Sequence, residues 1–214
     1  MKINQFIDHT LLKPEATQDD IINLCQEAVT YKFYAVCINS CYVSLAHNIL
    51  KNTTIKVVAV IGFPLGAMSY NAKIFEAQQA IADGADEVDM VLTIGWIKSG
   101  LYKRVANEIK EIKKAIGSKI LKVIIETCYL TITEKIEACR LSVNAGADFV
   151  KTSTGFGTGG ATIDDIVLMR KEIGSQAKIK ASGGIKDYET IKTYLNLGVS
   201  RIGTSSGVSI MQEL

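Results

Sequence analysis

Three short segments of the chain share one pattern. They are Asp83-Gly84-Ala85-Asp86-Glu87-Val88-Asp89, Ala145-Gly146-Ala147-Asp148-Phe149-Val150-Lys151 and Leu197-Gly198-Val199-Ser200-Arg201-Ile202-Gly203. Each runs from a helix end through a glycine and a small residue into a strand. Five residues after the glycine stand Asp89, Lys151 and Gly203, so equivalent units should hold these three at similar depth. Asp89 and Lys151 each follow a β-branched valine in a mostly apolar strand, so their charges must face an enclosed interior or its rim. A lone buried charge costs several kcal/mol, which leaves two readings: an ion pair across the interior, or a functional group. Lys180, in Lys178-Ile179-Lys180-Ala181, lies one strand–helix unit after Lys151 and should bring a second amine to the same rim. Two ammonium groups about 4 Å apart repel by roughly 4 kcal/mol at an effective dielectric of about 20. That is roughly 3 pKa units, enough to leave one lysine a neutral amine near pH 7. At about 6 Å the repulsion falls to roughly 2 units, with burial adding more. An amine activated in this way forms Schiff bases with carbonyl compounds, and Asp89 could move protons beside it, directly or through water.

Eight apolar runs read as strands: Phe6–Thr10, Ala35–Ile38, Lys56–Ile61, Glu87–Val91, Leu121–Glu126, Phe149–Thr152, Lys178–Ala181 and Arg201–Thr204. Helical segments separate them. Thr17 with Asp20, Thr131 with Glu134 and Thr162 with Asp165 have the spacing of capping boxes, and Asp187 reads as an N-cap. Gly84, Gly117, Gly146 and Gly198 stand where helices should end. Strand–helix alternation of this kind gives right-handed crossovers and a parallel sheet, and eight units give a closed (β/α)8 TIM barrel. An open doubly wound sheet is the alternative. No linker or break in composition divides residues 1–214, which read as one domain.

Glycine-rich turns follow the last two strands, at Gly183-Gly184 and at Gly203-Thr204-Ser205-Ser206-Gly207. Successive backbone N–H groups in such turns form anion-binding nests, and a short helix starting near Ser206 would aim its N-terminus at the same spot. Barrels often bind phosphate after strands seven and eight. A third glycine-rich stretch, Thr154–Gly160, reads as either a loop over the site or a plain connector.

Composition narrows the partners. With 24 Lys and Arg against 22 Asp and Glu, the formal charge is +2, which excludes an extended polybasic nucleic-acid surface but not a local cationic pocket. The longest apolar run, 57–68, is interrupted by Gly62, Pro64 and Gly66 and is too short to span a bilayer. The N-terminus lacks the apolar core of a signal peptide. Five cysteines without CxxC spacing fit reduced thiols, and the two histidines, His9 and His47, form no ligand cluster. A cytoplasmic protein with no membrane partner, no nucleic-acid partner and no metal is expected. His9 should make structural hydrogen bonds, Cys37 should pack inside, and Asp8 could support either Lys151 or Lys180.

The segments Asp8-His9-Thr10-Leu11-Leu12-Lys13-Pro14, Glu87-Val88-Asp89-Met90-Val91, Lys122-Val123-Ile124-Ile125-Glu126-Thr127, Phe149-Val150-Lys151-Thr152-Ser153-Thr154-Gly155 and Lys180-Ala181-Ser182-Gly183-Gly184-Ile185 occur in order over nearly the whole chain. In these the chain resembles the deoxyribose-phosphate aldolases, a class I aldolase family. The resemblance implies reversible cleavage of 2-deoxy-D-ribose 5-phosphate to acetaldehyde and D-glyceraldehyde 3-phosphate. Lys151 matches the Schiff-base lysine, and Asp89 and Lys180 match the proton-transfer pair. Thr154, Gly155, Gly183, Gly184, Gly203, Ser205 and Ser206 match the sugar-phosphate pocket. The resemblance implies no metal and no cofactor, since the iminium is the electron sink, and it suggests a homodimer.

Two departures stand out. Some family members carry a phosphate-holding lysine directly after the Thr-Gly pair, where this chain has Phe156. Some also end in a longer tail with a tyrosine near the site, whereas this sequence ends at Leu214, so no tyrosine is expected from that position. Two rival readings remain: a metal-free phosphosugar isomerase, and a non-catalytic barrel that binds a phosphorylated metabolite. The lysine pair argues against the first. The second has no need of Asp89, Lys151 and Lys180 together.

Overall fold

The computed structural model describes residues 2–213; Met1 and Leu214, the ends of the 1–214 span, lie outside the described residues, and with Leu214 the expectation about the chain's tail. Eight parallel strands close into a barrel: β1 (Ile7–Leu11), β2 (Ala35–Asn39), β3 (Lys56–Ile61), β4 (Glu87–Val91), β5 (Ile120–Ile124), β6 (Phe149–Lys151), β7 (Lys178–Ser182) and β8 (Arg201–Thr204). The helices around it are α1 (Gln18–Tyr31), α2 (Val43–Leu50), α3 (Tyr70–Ala82), α4 (Ile94–Lys98), α5 (Tyr102–Ile116), α6 (Ile132–Asn144), α7 (Ile163–Ile173), α8 (Tyr188–Asn196) and α9 (Gly207–Gln212).

Local chemistry sets these boundaries. Thr17 and Thr131 form complete capping boxes with Asp20 and Glu134. Thr162 caps α7 from one side only, because the Asp165 carboxylate turns away to Lys135 instead of bonding back. In α5, Val105, Ile109, Ile112 and Ile116 recur at three- and four-residue spacing and are buried, which presses this face onto the sheet. Glu108 on the same face is also buried and pairs with Lys73 of α3 at 2.8 Å, so the charge is not left alone. Two strands begin or end away from the sequence reading for visible reasons. Ile3–Phe6 coils into a 3-10 turn, which moves β1 to Ile7–Leu11. β5 stops at Ile124 because Glu126 adopts a left-handed backbone, φ 52°.

The registers show how the barrel arranges its interior. Gly203 pairs with Asp8 and Asp8 with Ala35, two residues short of Cys37. The same two-residue step leads from Cys37 through Val58 to Asp89, from Asp89 through Lys122 to Lys151, and from Lys151 through Lys180 to Gly203. This is the layer geometry of a sheared eight-strand barrel, in which alternate strands contribute to one level. Cys37, Asp89, Lys151 and Gly203 form one such layer. Asp8, Val58, Lys122 and Lys180 form the next one down. On the β2–β3 side the lumen is filled by Ala35, Cys37, Val58 and Val60, a cluster separate from the main core between sheet and helices. The opposite side carries the charge.

The capping boxes make a direct prediction. Thr131→Ala removes the acceptor for the Glu134 N–H, and stability should fall by about 1 kcal/mol. A urea titration should show a lower midpoint at unchanged slope, corresponding to about 2–4 °C in Tm.

Candidate active site

Asp89 is fully buried in the lumen, where its carboxylate receives three lysines. Lys122 Nζ lies 2.7 Å from Oδ1, and Lys151 and Lys180 lie 2.8 and 2.7 Å from Oδ2. The network continues downward. Lys180 bonds Asp8 at 2.5 Å, Asp8 bonds Arg201 at 2.9 Å, and Glu87 joins Arg201 at 3.1 Å and Lys122 at 2.5 Å. The Arg201 guanidinium lies 3.5 Å from the centre of the Tyr34 ring, closing the bottom of the lumen. Gly203, the fourth member of the Lys151 layer, leaves room for this arrangement. A Cβ there would lie 3.0 Å from Lys180 Cε and from Ser182 Cβ, so a side chain at 203 would crowd the lysine stem.

The two amines of the sequence pair are therefore neighbours in register, but they are not both at the rim. Lys180 sits one level beneath Lys151 and is sealed off, whereas Lys151 reaches the open end. The difference follows from barrel shear, which drops each strand by about one residue relative to its neighbour. Their charges are not set by mutual repulsion alone. Burial lowers the Lys151 pKa and Lys180 lowers it further, while Asp89 opposes both; the net direction is down. Burial also disfavours the Lys180 ammonium, but Asp8 and Asp89 together outweigh it and hold its pKa up. Lys122 is raised in the same way by Asp89 and Glu87, and Arg201 by Asp8 and Glu87. Burial works against ionised Asp89 and Asp8 as well, yet their cationic partners prevail and both pKa values fall.

Above Lys151 opens a cavity of about 290 Å³. Its lining includes Lys151 and all seven residues matched to a phosphate pocket: Thr154, Gly155, Gly183, Gly184, Gly203, Ser205 and Ser206. The N–H groups of Gly155, Gly183, Gly184 and Ser205 have no protein acceptor among the described residues. Gly155, Gly183 and Gly184 all have positive φ, the backbone of an anion nest. Thr154 differs. Its N–H and hydroxyl are both given to the Glu126 carboxylate, so the side chain has no donor left for a ligand. Phe156 forms part of the wall and packs edge-on against Phe63. Cationic groups come instead from other loops: Lys13 after β1 and Lys186 after β7 also line the cavity.

Several of these residues give little signal in the sequence. Lys122 stands out only as part of a motif, although its place between Leu121 and Val123 repeats the isolated-charge signal of Asp89. Glu87 and Arg201 stand at strand starts, where a charge is unremarkable until the register is known. Asp8 proves to serve Lys180 rather than Lys151. His9 faces outward from the barrel to Glu27, 2.7 Å away, and burial lowers its pKa against the pull of that carboxylate. Cys37 lies within the lumen, where burial raises its thiol pKa. The described residues hold no cluster of potential metal ligands, and none of their helices is long and apolar enough to cross a membrane.

A family model described as DeoC/LacD family aldolase matches residues 2–213. The chain belongs to this family. Among DeoC/LacD aldolases, it is 54% identical to a deoxyribose-phosphate aldolase of Thermoanaerobacter sp. (strain X514), over 100% of this chain and 97% of that one. Its fold is similar to that of an aldolase designated QR15, with a TM-score of 0.95 and 41% identity over 99% of this chain and 95% of that one. It is also similar to the deoxyribose phosphate aldolase of Aeropyrum pernix, described as tetrameric, at 0.89 and 32% over 99% and 90%.

Acid should undo the charged lumen of this DeoC/LacD aldolase. Asp8 and Asp89 have folded-state pKa values below the ordinary 3.8. The stability they supply is complete above that value and is lost as pH falls beneath it toward their own pKa values. Urea midpoints should fall gently between about pH 7 and about 5, where protonation of His9 favours the unfolded chain, and drop steeply below about 3.8; no steep drop down to about pH 3 would contradict this ion-pair network.

Proposed function

We propose that this aldolase reversibly cleaves 2-deoxy-D-ribose 5-phosphate to acetaldehyde and D-glyceraldehyde 3-phosphate, with Lys151 as the covalent nucleophile. One observation carries the assignment. Of the four cations in the lumen network, only Lys151 lines the cavity, and only its pKa is shifted down. Counting charges gives the reason. The network holds three acids, Asp8, Glu87 and Asp89, against four bases, Lys122, Lys151, Lys180 and Arg201. It balances when Lys151 is a neutral amine.

The neutral Nζ adds to C1 of the open-chain sugar, and loss of water from the carbinolamine leaves an iminium. The C3 hydroxyl gives up its proton, the C2–C3 bond breaks, and its electron pair moves into the enamine on Lys151. Glyceraldehyde 3-phosphate departs. Protonation of the enamine carbon and addition of water release acetaldehyde and restore the amine. Asp89 and Lys180, joined through Oδ2 to Lys151, carry the protons that enter and leave as a coupled unit.

The phosphate occupies the far end of the cavity. The N–H groups of Gly155, Gly183, Gly184 and Ser205 ring it, with the Ser205 and Ser206 hydroxyls and Gly203 beside them. Lys13 and Lys186 supply the positive charge that Phe156 does not. Residues 1–214 act as one domain, in the cytoplasm and as a homo-oligomer. This reading is favoured over a phosphosugar isomerase, which would not use a covalent amine, and over a non-catalytic binding barrel, which has no use for a buried lysine network.

Incubation with acetaldehyde and borohydride should leave a reduced adduct on Lys151, located by mass spectrometry; absence of the adduct would overturn the assignment. Lys151→Ala should lose activity by on the order of 10³-fold or more while remaining folded. Because the ammonium is inert, the rate of trapping should fall as pH is lowered through the depressed Lys151 pKa.

A further inference from the structure

Glu126 lies two residues past the end of β5, in a conformation that L side chains rarely adopt. Its neighbours explain the geometry. The Ile125 N–H donates to Lys151 O and the Thr127 N–H to Thr152 O, so both flanking residues follow the exit of β6 and Glu126 is turned out between them. The turn aims its carboxylate at Thr154. Oε1 and Oε2 both accept the Thr154 N–H at 3.2 Å, and Oε2 accepts the Thr154 hydroxyl. Thr154 Oγ1 in turn accepts the Phe156 N–H at 3.0 Å. The following residues pack closely on the same group: a Cβ on Gly157 would lie 2.7 Å from Cys128 Sγ and 3.3 Å from Glu126 Cδ. At its other end the loop is fixed to the phosphate turn, where the Ala161 N–H donates to Gly183 O at 3.1 Å. The Glu126 side chain is not part of the cavity wall.

We propose that Glu126 is a positioning residue for the phosphorylated end of the substrate: by clamping Thr154 it holds the 154–160 loop, and with it the Gly155 N–H, against the Gly183 turn. A strained backbone at a site of this kind is retained when the surroundings hold it in place, and here the strain orients the clamp. Burial raises the carboxyl pKa, and the two Thr154 donors act against that rise by favouring the ionised form. The Lys151 amine bonds Asp89 and not Glu126, so its chemistry does not require the clamp. This inference rests on the reading of the cavity as a phosphosugar site with Lys151 as nucleophile.

Glu126→Gln keeps the shape and removes the charge, and with one acceptor oxygen in place of two it leaves one of the two Thr154 donors without a proper acceptor. The KM for 2-deoxyribose 5-phosphate should rise about tenfold, with kcat changed less than about twofold. The KM for unphosphorylated 2-deoxyribose and the borohydride trapping of acetaldehyde on Lys151 should not change. Thr154→Val should reproduce the effect, and the double variant should be no worse than either single one. An unchanged KM for the phosphorylated sugar, an equal loss for both sugars, or additive effects in the double variant would overturn the clamp. If Glu126→Gln does not fold, Thr154→Val decides by the same measurements. Failure to trap wild-type enzyme would count against Lys151 as nucleophile, a result separate from any KM difference between the two sugars.

Discussion

The site depends on one carboxylate that accepts hydrogen bonds from three lysines while fully buried in the lumen. Burial alone would raise the Asp89 pKa, since it disfavours the ionised form. Lys122 on one oxygen and Lys151 and Lys180 on the other reverse that preference. The lysines depend on Asp89 in turn, because each ammonium is as costly to bury as the carboxylate. Mutual dependence of this kind is fragile to removal of any charged member and rigid while intact, since breaking a buried ion pair leaves an uncompensated charge. The rigidity has a chemical use. An amine that must meet a carbonyl at one angle is better held from a packed barrel layer than from a loop.

The layer beneath completes the electrostatics. Asp8 and Glu87 help hold Lys180, Lys122 and Arg201 cationic, and in the proposed mechanism the excess positive charge is relieved at Lys151. Burial is the largest influence on that lysine and repulsion from Lys180 adds to it. The two lysines are neighbours, as their offset predicts, but Lys180 lies below the rim and burial, ahead of repulsion, lowers the Lys151 pKa. The shear of the barrel matters here: by setting Lys180 one level down, it lets the same two side chains meet at Asp89 while only one meets the cavity.

Much of this is legible in the order of the residues alone. The five-residue offset from Gly84, Gly146 and Gly198 identifies one barrel layer because closed parallel barrels repeat their geometry from unit to unit. The glycine-rich turns are legible because only special backbones expose successive N–H groups. Glu87 and Arg201 are not, since a charge at a strand start is ordinary on a surface and costly in a lumen, and only the register tells the two apart. The strand end at Glu126 is hidden for a related reason. Leu121–Glu126 is an unbroken β-rich run, and its interruption comes from hydrogen bonds to β6, which no local pattern records.

The two halves of the proposed site have different physical origins, and that accounts for Phe156 in its wall. Amine chemistry is fixed by the barrel interior, where every charge is counted against its neighbours and few substitutions leave the balance intact. The phosphate end is built from backbone N–H groups on separate loops, whose donors do not depend on which side chains stand nearby. A cation there adds attraction without having to occupy one position, and Lys13 and Lys186 approach the same cavity from opposite ends of the sequence. What the phosphate end does require is that its loops keep their places. In the proposed site a cationic side chain at 156 is therefore dispensable, whereas the anchoring of the 154–160 loop to the strands on either side is not.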